Sequence, residues 1–423
     1  MLAITNATII DGTEHDPYEN GTVLIDGEHI RAVGEKSRVL IPRDATVLDA
    51  QGASVLPGLI DTHVHMMIEY PDLVRSLNTP PSFSLFQAIP RLRATLHAGF
   101  TTVRDAGGTP AGVKMAVERG LIAGPRMQVA VSLISQTGGH GDDYYPCCLD
   151  LGFFGLKLPD LPSGVADGAE QVRQKTREIL RAGADWIKLA TTGGVLSTAD
   201  APTASQLTVE EISVAVYEAA VQGKRCMAHA QGTQGIKNAL RAGVASIEHG
   251  IYLDDEAIDL MREKNAYLVP TLIAPIWVAE FAQGHPDSIS PFMVEKSYAV
   301  MDAHQQSFRR AVEAGVSIAM GTDAGVGAHG ENARELQLMV ENGMTPLQAI
   351  TASTQNAARL LHLHKQLGTL EAGKVADVIL VDGHVHQDIQ KLVNPANVKL
   401  VLKGGETVKN LTETILPMAA SLS

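Results

Sequence analysis

Cysteine is scarce in this chain: there are three among 423 residues, and Cys147 and Cys148 are adjacent. A disulfide framework needs several spaced cysteines, so a disulfide-stapled secreted fold is excluded and a reducing compartment is favoured. The sequence also lacks a basic segment followed by an apolar one at its start, and it has no apolar run of about 18 residues. We therefore expect a soluble, cytoplasmic protein without a membrane segment.

Positive charge is limited as well. The chain has 34 Lys and Arg against 47 Asp and Glu, which gives a formal net charge of -13 and a pI near 5.6. No Arg or Lys cluster stands out, so we expect no nucleic-acid partner. A serine nucleophile elbow, a Walker-type phosphate loop and a His-Glu-x-x-His helix are also absent, which excludes three common kinds of catalytic site.

Short strand-like runs bounded by turn residues occur at both ends of the chain and predict a small β domain there. We expect a β-sandwich built from residues 1–56 and 365–423, the second segment including a C-terminal tail. The predicted strands are 3–10, 21–25, 29–33, 46–49, 375–381 and 398–402.

Between these ends, residues 57–364 alternate strand-like runs with helical patterns at 207–222, 234–242 and 254–264. This alternation is typical of parallel βαβ units. The length of the chain and its 45% hydrophobic content allow one large core beside a smaller one. We predict an α/β fold, a (β/α)8 TIM barrel, with strands at 59–63, 100–104, 127–133, 186–190, 225–228, 246–248, 266–269 and 316–320.

Metal-compatible residues recur at the carboxyl ends of these runs, where barrel enzymes carry their chemistry. His63 and His65 have strand spacing, so both imidazoles face one side and can reach one divalent ion. Taken singly, each residue also fits a structural role, as a hydrogen-bonded histidine, a turn aspartate or a paired lysine. Their shared position favours a metal centre, and the other members are Lys188, His229, His249 and Asp323.

Lys188 lies in a strand that should be buried, where an unpaired ammonium is costly. A salt bridge to Asp185 or Glu248 is one solution. The other is a neutral amine that reacts with carbon dioxide to form a carbamate, an anion able to bridge two metal ions. With one carboxylate and one hydroxide, that site would retain a net positive charge suited to a developing oxyanion.

His140 occurs in the glycine-rich run 137–142 after the third predicted strand. It is either a donor to a substrate carbonyl or a surface histidine. We name His140, Gln231, Tyr252 and His329 as candidate substrate contacts, with Tyr144 and Tyr145 as further loop candidates. Apolar loop residues suggest a homo-oligomer interface; they are Phe153, Phe154 and Leu156.

Together these motifs resemble the amidohydrolase superfamily, in its binuclear subtype with a carboxylated lysine. The run 368–377 is similar to the returning strand region of that superfamily's small β-sandwich. Runs 137–142, 191–194 and 228–236 resemble the prolidase-like branch, whose members cleave Xaa-Pro dipeptides, other dipeptides or N-acyl amino acids and include ochratoxin amidases. In some prolidases a tyrosine holds the substrate carboxylate where this chain has Gln231.

The resemblance implies a metal-dependent hydrolase that acts on a small molecule, an Xaa-Pro dipeptide or an N-acyl amino acid, through a metal-bridging hydroxide. Ochratoxin-type amidases and Xaa-Arg or Xaa-Lys dipeptidases are alternatives within the branch. A mononuclear deaminase or imidazolone-type hydrolase is a more distant one, and a scaffold protein that has lost catalysis is another.

The resemblance also implies two divalent ions, expected to be zinc, and carbon dioxide or bicarbonate to carboxylate Lys188. Asp323 and His140 are then the catalytic residues: Asp323 moves a proton and His140 polarises the carbonyl. In the expected arrangement His63, His65 and Asp323 hold one ion, His229 and His249 hold the other, and Lys188 bridges them.

Overall fold

The computed structural model describes residues 1–70, 72–144, 147–152, 155–197 and 200–419. Tyr145, Phe153 and Phe154, named above as loop candidates, lie outside the described residues. The strands are β1 (Leu2–Ile9), β2 (Tyr18–Asp26), β3 (His29–Glu35), β4 (Thr46–Asp49), β5 (Ser54–Pro57), β6 (Leu59–Val64), β7 (Phe100–Asp105), β8 (Arg126–Val129), β9 (Leu133–Ile134), β10 (Trp186–Ala190), β11 (Arg225–Ala230), β12 (Ser246–His249), β13 (Tyr267–Val269), β14 (Val378–Val381), β15 (Val398–Lys403) and β16 (Glu406–Asn410).

Helices follow most of the central strands. They are α1 (Leu73–Asn78), α2 (Pro81–His97), α3 (Ala111–Glu118), α4 (Gly168–Arg181), α5 (Val209–Val221), α6 (Thr233–Ala242), α7 (Asp255–Lys264), α8 (Ala274–Gly284), α9 (Pro291–Glu313), α10 (Arg334–Glu341), α11 (Pro346–Thr351), α12 (Ala357–Leu360) and α13 (Gln390–Val393), with a π-helical turn at Ala352–Asn356 and a 3-10 turn at Pro395–Asn397.

The three helices predicted from sequence correspond to α5, α6 and α7, with ends that agree to within two residues. Local capping explains two of these starts. Thr208 and Glu211 form a reciprocal capping box at α5, and the Asp254 side chain accepts a hydrogen bond from the Ala257 N–H at α7. Within the described residues, no helix has both the length and the apolar composition needed to cross a membrane.

The central strands are parallel and form a TIM-barrel-like α/β fold. One sheet has the order β6-β7-β8 and the other β13-β12-β11-β10-β9. The third predicted strand is divided into β8 and β9, which pair with different neighbours. Val131 lies between them with a left-handed φ of 65°, a conformation that a continuous strand cannot accommodate.

The eighth predicted run, 316–320, is bonded to strands on both sides although it forms no named strand. The Ala319 N–H donates to the Leu268 carbonyl in β13 over 3.0 Å. The Thr62 N–H in β6 donates to the Met320 carbonyl over 2.9 Å. These bonds place the end of this run beside the end of β6.

Both chain ends contribute to one eight-stranded sheet, ordered β16-β15-β14-β5-β1-β2-β3, with β4 beside β1. Strand β5 joins the two ends because it pairs in parallel with β1 and antiparallel with β14. Sequence patterning missed β5 and β16. The sheet buries a separate apolar cluster that includes Ile4, Val23, Val55, Val378 and Leu400.

Candidate metal centre

Strand β6 directs two imidazoles toward one carboxylate. The Nε2 atoms of His63 and His65 lie 3.3 and 3.2 Å from Oδ1 of Asp323. Asp323 has a left-handed φ of 64°, which is uncommon for a residue other than glycine, and its N–H donates to the His63 carbonyl over 2.8 Å. The structure therefore brings together the first and last ligand residues predicted from the sequence.

The other ring nitrogen of each of these histidines is engaged by the protein. Nδ1 of His65 donates to the Gly107 carbonyl over 2.8 Å, and Nδ1 of His63 donates to Oε2 of Glu248 over 2.7 Å. Because a carbonyl or a carboxylate only accepts, these contacts leave the Nε2 lone pairs directed at the centre. Outer partners of this kind orient metal-binding histidines.

His229 and His249 also each have one ring nitrogen in contact with a protein group. Nε2 of His229 donates to the Gly193 carbonyl over 3.0 Å, which leaves its Nδ1 as the free acceptor. Nδ1 of His249 lies 2.7 Å from the Thr271 hydroxyl. Among the described residues, ligand atoms of His63, His249 and Asp323 lie within 4.8 Å of one another. The donor set thus fits a divalent ion.

Lys188 is 3% exposed in β10, and its Nζ lies 3.4 Å from Nε2 of His63. Within the described part of the chain, no carboxylate forms an ion pair with Nζ. Asp185, one of the predicted partners, lies instead 2.8 Å from Lys114. Burial lowers the pKa of Lys188 to about 8, so a neutral amine is accessible near neutral pH.

Electrostatics favour the metal-binding protonation states of His229, His249 and Asp323. The pKa of His65 is raised instead, because the Asp323 carboxylate outweighs the effect of burial. Burial lowers the pKa values of His229 and His249 well below the usual range, so both imidazoles are neutral. Burial alone would raise the pKa of Asp323, but His63 and His65 hold it well below its ordinary value. Neutral imidazoles and an ionised carboxylate are the binding forms.

His140 lies against the centre, with its ring stacked on that of His229 at 3.9 Å between centroids. Burial lowers the pKa of His140 to about 4, and its Nδ1 has no hydrogen-bond partner among the described residues. Gly194 makes this position possible, because a Cβ there would lie 2.3 Å from Cε1 of His140.

Of the candidate substrate contacts, His140 and Gln231 line the cavity above the ligand residues. The Gln231 side-chain oxygen is buried without a partner among the described residues. Tyr252 and His329 are not among the lining residues: Tyr252 packs against Val195, Ile251 and Val300, and Nε2 of His329 donates to the Ile68 carbonyl. Tyr144 is exposed.

Sequence reasoning missed Arg104, and it considered Glu248 only as a salt-bridge partner of Lys188. Arg104 and Glu248 form a fully buried ion pair, with Nη2 and Oε1 2.9 Å apart. The sequence pattern that could have revealed this pair is a charged residue within each of two predicted strands. Thr271 and His304 also line the cavity, but their positions in loop and helix offered no pattern to read.

Comparisons with known proteins agree with this geometry. Residues 54–408 match the model of the amidohydrolase family. The ochratoxinase of Aspergillus niger is 35% identical over 428 residues, covering 96% of this chain and 87% of that protein. The crystal structure of a Xaa-Pro dipeptidase with bound methionine in the active site is 35% identical, with a TM-score of 0.88, and the match covers 97% of this chain and 100% of the other.

A crystal structure of a prolidase complexed with N-methylphosphonate-L-proline is also similar, at 33% identity and a TM-score of 0.88 over 97% of this chain and 99% of that one. The predicted resemblance, including its prolidase-like branch, is thereby confirmed. The family match and these likenesses also support catalysis at carbon–nitrogen bonds. This chain belongs to the amidohydrolase family and is a hydrolase of amide bonds.

Proposed function

We propose that this enzyme hydrolyses the amide bond of Xaa-Pro dipeptides or N-acyl amino acids in a metal-dependent reaction, with Xaa-Pro dipeptides as the first choice. One observation carries the proposal: four histidines and Asp323 line one cavity with the buried Lys188. The similar proteins cited above, an ochratoxinase and a Xaa-Pro dipeptidase, are named for amide or peptide cleavage.

His63, His65 and Asp323 would hold one divalent ion, and His229 and His249 would hold a second. Zinc suits this donor set. When bound, such ions would lower the pKa of a water molecule and polarise a carbonyl group. Lys188 would be the ligand shared by both ions after its neutral amine adds to carbon dioxide, which forms an N–C bond and releases one proton to solvent.

Lys188 itself argues for two ions rather than one. It is buried, and no carboxylate among the described residues pairs with it. A carbamate at Nζ would replace an uncompensated amine by an anion that two cations neutralise. A mononuclear deaminase has no use for this residue.

Two side chains of the protein act on the reacting groups: Asp323 transfers a proton, and His140 binds the substrate carbonyl. The Asp323 carboxylate, kept ionised by its histidine neighbours, accepts the proton of the attacking water and delivers it to the departing nitrogen. Proline's ring nitrogen needs that proton to leave. His140 is neutral near pH 7, and it donates a hydrogen bond to the carbonyl oxygen, where negative charge develops.

The proposed site also has a proposed domain arrangement. We propose that residues 57–364 close into an eight-stranded barrel around it, since the 316–320 run bonds to both neighbouring strands. We also propose that residues 1–56 and 365–423 form a separate β-sandwich domain.

The proposal is tested with purified protein supplied with zinc and bicarbonate. A panel of Xaa-Pro, Xaa-Arg and Xaa-Phe dipeptides and N-acyl amino acids is assayed for release of the free amino acid. Selective release of proline establishes a prolidase. Release of other amino acids, with proline ignored, moves the assignment to the Xaa-Arg-type dipeptidase or the N-acyl amidase alternative. The ochratoxinase similarity favours the second.

Metal analysis of the same preparation separates the binuclear site from its rival. About two ions per chain are expected. A single ion per chain, together with no hydrolysis of any amide in the panel, would overturn the proposal in favour of a mononuclear deaminase or imidazolone-type hydrolase.

A further inference from the structure

A second chamber lies beside the candidate metal centre. Ile68 and Leu196 line both cavities, so the two spaces share a wall. The chamber has a volume of about 500 Å³, which is sufficient for a drug-sized group. Much of its lining is apolar, including Met67, Leu156 and Ile289.

Arg91 lines this chamber and is 6% exposed. It is one of the buried residues of α2, and the others are Ala88, Leu92, Thr95 and Leu96. A guanidinium is out of place on an apolar stripe, because removing its donors from water is costly unless acceptors replace the water.

Those acceptors are largely missing. Nε and Nη1 of Arg91 have no hydrogen-bond partner among the residues that the structure describes. Nη2 has a single long contact, 3.4 Å to Oε2 of Glu69, whose side chain is 32% exposed. Two buried donors of a guanidinium that lines the chamber are thus unsatisfied among the described residues.

The charge is positive only next to Arg91. Glu69 and Arg75 are the neighbours whose charges act on Arg91, so the three side chains together carry one net positive charge. The rest of the charged lining is acidic, with Asp72, Asp143 and Asp287. The case for an anion therefore rests on the unpaired donors of Arg91 rather than on the charge of the chamber.

We propose that this chamber is a subsite for the acyl side of the substrate, and that Arg91 binds a carboxylate at the far end of a mainly apolar acyl group. This inference rests on the proposed function only for the orientation of the substrate. The preferred substrates are then amino acids acylated by a dicarboxylic acid, or dipeptides whose first residue has an acidic side chain.

Probes that no hydrolase can cleave test the subsite separately from the activity. N-(carboxyalkyl)-L-prolines of increasing chain length are compared with N-alkyl-L-prolines of equal length, both lacking the scissile carbonyl. Dissociation constants are measured by calorimetry with the metal-loaded enzyme. We expect one chain length at which the carboxylate improves binding roughly 10- to 100-fold, as a charge-assisted hydrogen bond does.

Substitutions of Arg91, Arg93 and Glu69 show whether Arg91 causes the preference for the carboxylate probe. Arg91→Met should abolish the preference for the carboxylate probe, whereas Arg93→Met, at an exposed position two residues further along α2, should retain it. Glu69→Gln should increase the preference, because it removes the competing anion. If Arg91→Met does not fold, Arg91→Lys, which keeps the charge but loses the planar donors, should reduce the preference several-fold.

Equal binding of the two probe types at every chain length overturns the inference, as does a preference that survives Arg91→Met. These outcomes leave the amide-hydrolysis panel untouched. Conversely, a carboxylate preference that depends on Arg91 supports the subsite even if the panel shows no cleavage, so the two proposals fail separately.

Discussion

Nδ1 of His63 and Oε2 of Glu248 lie 2.7 Å apart, although 185 residues separate them in the chain. The other oxygen of Glu248 lies 2.9 Å from Nη2 of Arg104, and both side chains of this ion pair are fully buried. Burial alone would raise the pKa of Glu248, but Arg104 and His63 hold it below its usual range. The ionised carboxylate thereby sets the tautomer and orientation of a proposed metal ligand.

The first prediction concerns this contact. Glu248→Gln keeps an oxygen that can accept from His63 but removes the charge that pairs with Arg104. We expect metal affinity to fall about 10–100-fold. The free energy of unfolding should fall by about 3–5 kcal/mol, because Arg104 is left buried and unpaired. Metal titration and denaturant unfolding measure both effects. Glu263→Gln, at an exposed position on α7, is the control and should change neither.

The second prediction concerns Asp323. Asp323→Asn removes the carboxylate that we propose as proton carrier, and kcat should fall by about 10²–10⁴-fold while the fold survives. Turnover is measured with the best substrate of the panel, alongside circular dichroism and metal content. Asp302→Asn, at an exposed position on α9, is the matched control. Near-native turnover in Asp323→Asn would refute the proton-transfer role.

The third prediction concerns the carbamate on Lys188. Protein exchanged into ¹³C-bicarbonate should show a carbamate signal by NMR that Lys188→Arg lacks. Because burial lowers the pKa of Lys188 to about 8, its reactive neutral form decreases as the pH falls below 8. At a constant concentration of dissolved carbon dioxide, labelling should therefore be slower at pH 6 than at pH 8, by up to about tenfold per pH unit. A signal that persists in Lys188→Arg would assign the modification to another amine.

The fourth prediction separates His140 from the metal ligands. Gly194→Ala would place a Cβ 2.3 Å from Cε1 of His140, so the ring must shift. We expect turnover to fall by about 10²-fold or more, as when an oxyanion donor is removed, with metal content unchanged. Gly284→Ala is the control, because its Cβ would meet no atom within 4 Å. Full activity in Gly194→Ala would exclude a catalytic position for His140.

The fifth prediction concerns pH-dependent stability. Glu335 is buried, accepts from the N–H groups of Leu272 and Ile273, and has a pKa that burial raises to about 8. The folded state then keeps its proton while the unfolded state loses it between about pH 4.5 and pH 8. Because the folded state binds more protons in this window, stability falls as pH rises, by up to about 1.4 kcal/mol per unit.

Glu335→Gln should remove this contribution, since an amide does not titrate. Its single oxygen accepts only one of the two hydrogen bonds, so the variant should also lose some stability at every pH. Denaturant unfolding at pH 5 and pH 8 should show a smaller loss of stability in this variant than in the wild type. Glu341→Gln, at an exposed position on the same helix, should behave like the wild type. Equal losses in Glu335→Gln and the wild type would show that Glu335 is ionised in the folded protein.

Patterns along the chain predicted much of the architecture because each is local. The alternation of apolar runs and helical periodicity indicated the α/β fold, and most strands and the helices α5 to α7 lie where expected. The eighth run was predicted as a strand. It forms no named strand itself, yet Ala319 and Met320 bond to β13 and β6. Its pairing depends on where β6 and β13 come to lie.

The candidate ligand residues also combine features that the sequence predicts with features that depend on tertiary contacts. Residue type and spacing in the sequence were enough to nominate His63, His65, Lys188, His229, His249 and Asp323, because alternation along a strand is a property of the backbone. Which ring nitrogen of each histidine faces the centre depends on a partner distant in sequence, such as Gly107 for His65 or Gly193 for His229.

The sequence by itself therefore determined the fold class and the identity of the candidate ligands, since both arise from short-range periodicity. Only the tertiary structure decided that Glu248 contacts His63 and Arg104, that Lys188 has no carboxylate partner among the described residues, and that Arg91 faces a second chamber. Each of these depends on packing between distant segments, and burial then sets the cost of leaving a charge unpaired.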